Sequence, residues 1–191
     1  MMKYSLILFF TSLSLCAFGQ QKQFTLDERG KYVYYEVVDT KTSKDSLVLR
    51  AENFIKLNKK SFVKSTITDS SITSDGKMIV DKTILVASHP SGEVNYVFSF
   101  EARNGKYRYW ITDLEYIPYN RDRYGNYVPT TTIATPLEKT PGKLSAGAWK
   151  DIVESVYTKA EKLGENFKKA LSTSQVKTQT KKVESISTRK W

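Results

Sequence analysis

Residues 93–116 read EVNYVFSFEARNGKYRYWITDLEY. Two alternating runs flank Asn104-Gly105, a dipeptide suited to a two-residue hairpin, because both central positions of a type I′ turn need φ > 0. That turn sets the register: Arg103 faces Lys106, Ala102 faces Tyr107, Glu101 faces Arg108, Phe100 faces Tyr109 and Phe98 faces Ile111. Period-two alternation puts Phe98, Phe100, Ala102, Tyr107, Tyr109 and Ile111 on one face, the core face. Glu101 opposite Arg108 is a cross-strand charge pair that supports the same register, and a slip of one residue would turn every aromatic outward. The second face carries Val97, Trp110, Leu114 and Tyr116. Either another element covers them, or they form an apolar surface that binds something.

Outward from the hairpin, the upstream chain reads as one strand, one helix and further strands. Residues 31–39 (KYVYYEVVD) are rich in β-branched and aromatic side chains, with Val33, Tyr35 and Val37 expected toward the core. Leu47, Ala51, Phe54 and Ile55 recur at helical spacing over residues 44–58, with Ser43 as N-cap. Residues 62–68 alternate. Ile72-Thr73 begins another short strand, Asp75-Gly76 reads as a second hairpin turn, and residues 77–87 form a long strand with a possible bulge at Asp81-Lys82. His89-Pro90-Ser91-Gly92 reads as the turn into the central hairpin.

Downstream, residues 118–142 hold four of the five prolines and no period, but Tyr119, Tyr124, Tyr127, Val128 and Ile133 argue for packing on the sheet or extending its edge. A long helix is expected over residues 146–171, capped by Ser145, with Trp149, Ile152, Val153, Val156, Ala160, Leu163, Phe167 and Leu171 in one stripe. Gly164 should weaken it locally. The resulting order is β-α-β-β-β-β-α: an α+β domain with an antiparallel sheet of about five strands and two helices on one face.

Residues 1–19 read as a signal peptide: Lys3, an apolar run, and Ala17-Phe18-Gly19 at the cleavage site. The expected organisation is then a flexible lead-in at 20–30, a single domain at 31–171 and a disordered basic tail at 172–191. The location is periplasmic or secreted, with no transmembrane segment after cleavage. An alternative is lipid anchoring at Cys16, the only cysteine, although Leu15 is bulky for the residue before a lipidated thiol. Simple cleavage removes Cys16, so neither thiol nor disulfide is expected in the mature chain. The formal charge of +10 suits nucleic acid, anionic lipid or an acidic polymer. Export argues against nucleic acid, and much of the excess lies in the tail.

Over roughly residues 30–117, the signal peptide, KYVYYEVVDTKTSKDSLVLRAENFI and YVFSFEARNGKYRYWITDLEY together resemble a family of exported bacterial proteins known as domain of unknown function 4468, with a TBP-like fold. The resemblance implies a fold and a compartment. It implies no activity and no site residues, and a TBP-like topology does not imply DNA binding.

Catalytic chemistry finds little foothold. One histidine and, after cleavage, no cysteine leave no metal-ligand cluster, and Asp69, Asp75 and Asp81 are too irregular for a calcium loop. No metal and no cofactor are expected. His89 lies in a Pro-Gly turn, and no nucleophile elbow or phosphate loop occurs. Asp113, Glu115 and Asp122 are the one carboxylate group that could serve a glycosidase. The favoured reading is a non-catalytic binding or assembly module of the cell envelope, with Trp110, Tyr119, Arg121, Arg123, Tyr124 and Tyr127 as its site: aromatics for contact area, arginines for anion attraction. The partner would be an envelope protein, a glycan or a lipid. Two alternatives stand beside it: a lipid or small-ligand carrier with a cavity between sheet and C-terminal helix, and an envelope hydrolase.

Overall fold

The structure is a computed structural model that describes residues 23–84, 87–139 and 146–173. The signal peptide with Cys16, the Ser145 cap and the basic tail from residue 174 lie outside the described residues. An eight-stranded antiparallel sheet carries two helices. In chain order these are β1 (Thr25–Leu26), β2 (Tyr32–Asp39), α1 (Lys44–Leu57), β3 (Phe62–Ile67), β4 (Ser71–Ile84), β5 (Ala87–Arg103), β6 (Lys106–Arg121), β7 (Tyr127–Pro129), β8 (Thr135–Pro136) and α2 (Ala146–Ser172). The main path across the sheet is β1-β2-β6-β5-β4-β3, with β7 and β8 both paired to β6. The class and the order of the long elements are those expected. The sheet exceeds five strands because β1, β7 and β8 are short segments without an alternating pattern.

The β5–β6 register is the one read from the sequence, from Arg103 opposite Lys106 to Phe98 opposite Ile111. The turn is not type I′, however, since Gly105 has φ +81 while Asn104 is absent from the positive-φ residues. A glycine with positive φ at the second central position is the type II pattern. Asn104 Oδ1 accepts the N–H of Lys44 at 3.0 Å, so the hairpin turn caps α1. Ser43 occupies the N-cap position as expected but makes no side-chain cap bond; its hydroxyl donates to the Ser46 hydroxyl at 3.0 Å.

Past Ile111 the hairpin departs from simple alternation. Val97 pairs with Thr112 but Asn95 pairs with Glu115, so Tyr96 alone faces both Asp113 and Leu114. This is a β-bulge on β6, and Asp113 adopts φ +50 within it. The extra residue switches the parity of the strand. Leu114 and Tyr116, expected beside Trp110 on the second face, turn to the helix side and are buried. Tyr116 meets Trp149 of α2 edge-on at 5.7 Å.

Both helices pack on that face. Phe167 of α2 is fully buried and touches Phe54, Phe98, Phe100, Tyr107 and Tyr109 with ring centroids 5.1–6.3 Å apart. Val156, Ala160 and Leu171 of the same stripe are also buried. The carrier alternative requires an apolar void here, and around Phe167 these rings fill the space.

Further expectations need correction. Tyr34 is buried, while Tyr35 and Val37 are exposed, so β2 presents the opposite row to the one expected. The inward row contains Glu36, whose Oε2 accepts a hydrogen bond from Lys168 Nζ at 2.7 Å and which also binds the Tyr34 hydroxyl. A half-buried carboxylate is tolerated when so paired. Asp75-Gly76 is not a turn: β4 runs straight through it. A Cβ at Gly76 would overlap the Tyr96 ring and the Ser61 carbonyl, so the glycine makes room for a tyrosine whose hydroxyl donates to Ser61 O at 2.8 Å. His89 to Gly92 lie within β5, which pairs with β4 back to Ala87 opposite Ile84. The irregularity expected near Asp81 exists, but Ser91 of β5 is the extra residue. Residues 23–30 are not a loose lead-in, because Phe24 is buried and stacks on Tyr32 at 5.5 Å.

A pair of variants and a titration test this packing. Phe167→Ala should cost about 3–5 kcal/mol, as for other buried aromatics, in chemical denaturation. Gly164→Ala, expected from helix propensity to stabilise, should instead destabilise, because its Cβ would lie 2.6 Å from Tyr109 Oη. The second test is alkaline. Burial raises the hydroxyls of Tyr34, Tyr96 and Tyr109 well above the ordinary range, with Glu36 adding to the effect at Tyr34 and Tyr109. Burial likewise pushes Tyr107 up to about 12. A raised pKa stabilises the fold fully below the unfolded value of about 10 and is lost as pH rises through the folded values. Stability should therefore fall above about pH 10. Tyrosinate absorbance from these residues should appear together with loss of circular dichroism, and its appearance in a folded chain near pH 10 would contradict this account.

Candidate functional site

Among the described residues, no helix covers the other face of the sheet. On it, Tyr35 of β2 pairs with Trp110 of β6, and Val37 pairs with Arg108. Tyr35 is 49% exposed and Val37 54%. Arg108 links this row to its surroundings: its guanidinium lies 5.3 Å from the Trp110 ring centre and grips Glu101 Oε2 at 2.8 Å from Nε and 2.7 Å from Nη2. The bond to Glu101 holds the guanidinium pKa above its usual value.

Two clefts adjoin along this row. One, of about 570 Å³, is lined by Thr25, Asp27, Glu28, Arg29, Val33, Tyr35, Arg108 and Trp110. The other, of about 230 Å³, includes Tyr35, Val37, Glu101, Arg103, Lys106 and Arg108. The wall of the first is the β1–β2 turn, which Asp27 organises. Its Oδ1 accepts the N–H groups of Arg29 at 2.9 Å and Lys31 at 2.8 Å. The Lys31 N–H, ahead of the Arg29 contacts, holds this carboxyl below the usual range. Arg29 then reaches across to Thr112 Oγ1 and to Asp113 Oδ2, both at 3.3 Å. The bulge and the turn are thus tied together.

The six residues singled out from the sequence do not form one site. Trp110 lies on the open face. The others lie at the far end of β6, roughly 30 Å along the strand from Trp110 at about 3.3 Å per residue. There the tyrosines and arginines hold a second turn. The Tyr119 hydroxyl donates to Glu93 Oε2 at 2.7 Å, and burial followed by that bond pushes Tyr119 up to about 12. Asp122 Oδ1 accepts the N–H groups of Tyr124 and Asn126, each at 2.8 Å. Arg121 Nε donates to Gly125 O at 3.2 Å, and Arg123 lies 5.0 Å over the Tyr124 ring. Tyr127 stacks on His89 at 5.3 Å with ring planes 4° apart. The stretch expected to pack on the sheet or extend its edge does so as a short hairpin, β6–β7, returning along β6 through β8.

Two of the three carboxylates considered for glycosidase work have structural partners: Asp113 in the bulge with Arg29 and Asp122 in its turn. Among the described residues, no three His, Cys, Asp or Glu side chains converge as a metal site would require. Tyr35, Val37, Arg29 and Asp27 escaped the sequence reading. The Asp27-Glu28-Arg29-Gly30 turn was the one visible signal for the last two.

Comparison with known proteins agrees with this architecture. Residues 34–117 match the model of the family described as a domain of unknown function (DUF4468) with TBP-like fold. The matched segment opens in β2 and closes in β6, leaving α2 outside it. A solved TBP-like protein from Parabacteroides distasonis superposes with a TM-score of 0.56 at 16% identity, covering 78% of this chain and 97% of that one. A DUF4468 family protein from Bacteroides ovatus gives 0.55 at 11% identity, covering 80% and 92%. At such identities the likeness concerns the fold, which is α+β and TBP-like. No curated protein matches the chain.

The distal turn gives a discriminating pair of variants. Tyr124 is 76% exposed, so Tyr124→Ala should leave the thermal midpoint unchanged. Tyr119→Phe removes one hydrogen bond to a carboxylate and should cost about 1–2 kcal/mol, read as a fall of several degrees by calorimetry.

Proposed function

We propose that the chain is an exported, non-catalytic binding module of the cell envelope, and that its partner engages the open sheet face at Tyr35, Val37 and Trp110. The observation that carries this reading is the contrast between the two faces. One is filled by both helices, and the other leaves a tyrosine and a valine about half exposed beside a tryptophan. Adjacent apolar side chains on an uncovered sheet face are the feature expected of a contact surface. The sheet beneath them holds their positions, so little conformational entropy would be lost on contact.

Export rests on Lys3, the apolar run and Ala17-Phe18-Gly19. No helix among the described residues is long and apolar enough to cross a membrane. The hydrolase alternative loses support because Asp113 and Asp122 hold a bulge and a turn, while His89 is stacked on Tyr127.

A photo-crosslinking residue placed at position 37, with a control at the exposed Val63 on β3, tests the surface in the native host. Position 37 should trap one discrete species in the envelope fraction, Tyr35→Ser should abolish the trapping, and position 63 should trap none. Equal trapping from both positions would overturn the assignment. The mass of the same purified protein checks export, with loss of residues 1–19 expected and retention of Met1 contradicting it.

A further inference from the structure

Among the described residues, the outer edge of β2 is free over most of its length. β1 pairs only with Tyr32 and Val33, and no described strand lies beyond residues 34–39. The direction of the backbone groups follows from the ladder. Thr40 N–H donates to Gly105 O at 2.9 Å, in register with the β2–β6 pairs. In an antiparallel ladder the direction alternates, so Val38, Glu36 and Tyr34 turn their N–H and C=O groups toward β6. Tyr35, Val37 and Asp39 turn theirs outward. Thr25 of β1 fits this phase, since it faces Val33 and its hydroxyl donates to Val33 O at 3.2 Å.

The residues with free outward backbone are therefore those with exposed side chains on the open face. Sheet edges are normally blunted by bulges, charges or proline. The opposite edge, β3, has such protection: a bulge between Phe62 and Lys64 and the lysine itself. β2 is regular over residues 34–39 and offers Tyr35 and Val37.

Charge indicates the partner. The cleft beside the Val37 end of this edge holds Arg103, Lys106 and Arg108 against Glu101, and the exposed Asp39 lies opposite Lys106, which leaves one positive charge in excess. Arg108 is paired with Glu101, whereas Arg103 and Lys106 have no carboxylate within 4 Å among the described residues. The whole chain carries +10, so a second copy would be repelled and an acidic chain attracted.

We infer that the free edge of β2 accepts an extended, acidic segment of a partner protein as an additional strand. This rests on the open-face reading above and specifies its mode. The added strand bonds the outward groups of Tyr35, Val37 and Asp39, which is up to about six backbone hydrogen bonds. An apolar side chain of the segment packs on Tyr35, and an acidic one at the level of Val37 reaches over it to Arg108 and Lys106.

The experiment uses the full chain and two capped hexapeptides with threonine at every second position; the side chains between, which share the open face, are in turn valine and glutamate in one peptide and valine and lysine in the other, and binding is followed by calorimetry and amide NMR. The glutamate peptide should bind at least about tenfold more tightly than the lysine peptide and shift the amides of Tyr35, Val37 and Asp39. Val37→Pro deletes one outward N–H and no bond to β6, and it should weaken binding by at least about tenfold. Should that variant fail to fold, a glutamate peptide N-methylated at alternate residues reads the same bond on the unaltered protein and should not bind. Equal binding of the two peptides, no binding of either, or full binding by Val37→Pro overturns the inference. A dimer dissolved by Val37→Pro overturns it in favour of a second copy. Protection of the same amides from exchange in the free monomer overturns it in favour of the chain's own flanking residues. With the crosslinking residue moved to position 39, exposed on the same row, loss of native crosslinking with Tyr35→Ser but not with Val37→Pro would sink strand addition alone and leave the proposed surface standing.

Discussion

The extra residue in β6 at Asp113 is the constraint on which the rest of the molecule depends. β6 pairs with β5 along most of its length and with β2, β8 and β7 in succession. A strand this long would twist its later residues away from a straight helix lying across the sheet. The bulge resets its phase. Tyr107, Tyr109 and Ile111 face the helices before it, and Leu114 and Tyr116 face them after it. One strand thus supplies both the Phe167 cluster and the Trp149 contact at opposite ends of α2. The same residue serves the open face, because the Asp113 carboxylate receives Arg29 and fixes the turn that walls the larger cleft.

Glycine and tyrosine form a second recurrent device. Gly76, Gly92 and Gly164 each leave space that a tyrosine ring occupies: Tyr96, Tyr116 and Tyr109 respectively. In the two sheet cases the hydroxyl reaches past the glycine to a carbonyl, Ser61 O or Ser91 O, each at 2.8 Å. A large ring is buried while its polar end is satisfied, as buried tyrosines generally require. In α2 the glycine lets the helix backbone approach Tyr34 and Tyr109, and this closeness places Lys168 against Glu36.

Much of the fold was legible in local pattern. The hairpin register followed from alternation around Asn104-Gly105, and both helical stripes followed from spacing, because each depends on residues close in sequence. What failed depended on distant partners. In β2 both rows read as apolar, and the row containing Glu36 looked like the solvent side. It is the buried row only because Lys168, distant in sequence, arrives on α2. Gly76 read as a turn because nothing local announces that Tyr96 will cover it. The site suffered the same way. Trp110 was correctly placed outward, two residues before the bulge could disturb the parity. Leu114 and Tyr116 lay beyond the bulge and were misplaced with it. Tyr119 to Tyr127 looked like a binding loop because a turn held by stacked rings and Asx bonds has the composition of a ligand surface.

The two rows of β2 explain why its edge can serve as a recognition element. The inward row, Tyr34, Glu36 and Val38, is clamped under α2 by packing and by the Lys168 ion pair, so the strand cannot tilt or slip in register. Burial alone would raise the Glu36 carboxyl, but the bonds from Lys168 and Tyr34 outweigh it and leave its pKa lowered. Its contribution is therefore present above the ordinary carboxylate range and fades only as pH falls through the folded value. At neutral pH the clamp is fully engaged. A rigid edge offers its N–H and C=O groups at ladder spacing without further ordering, which leaves a larger share of any strand-pairing energy available as affinity. The same rigidity in an unprotected edge would favour indiscriminate pairing. On this chain the counterweights are a strong positive charge, which disfavours its own copies, and β1, which closes one end of the edge at Val33. Regular backbone, exposed apolar row, nearby cations and a closed end together define a slot of limited length rather than an open sheet margin.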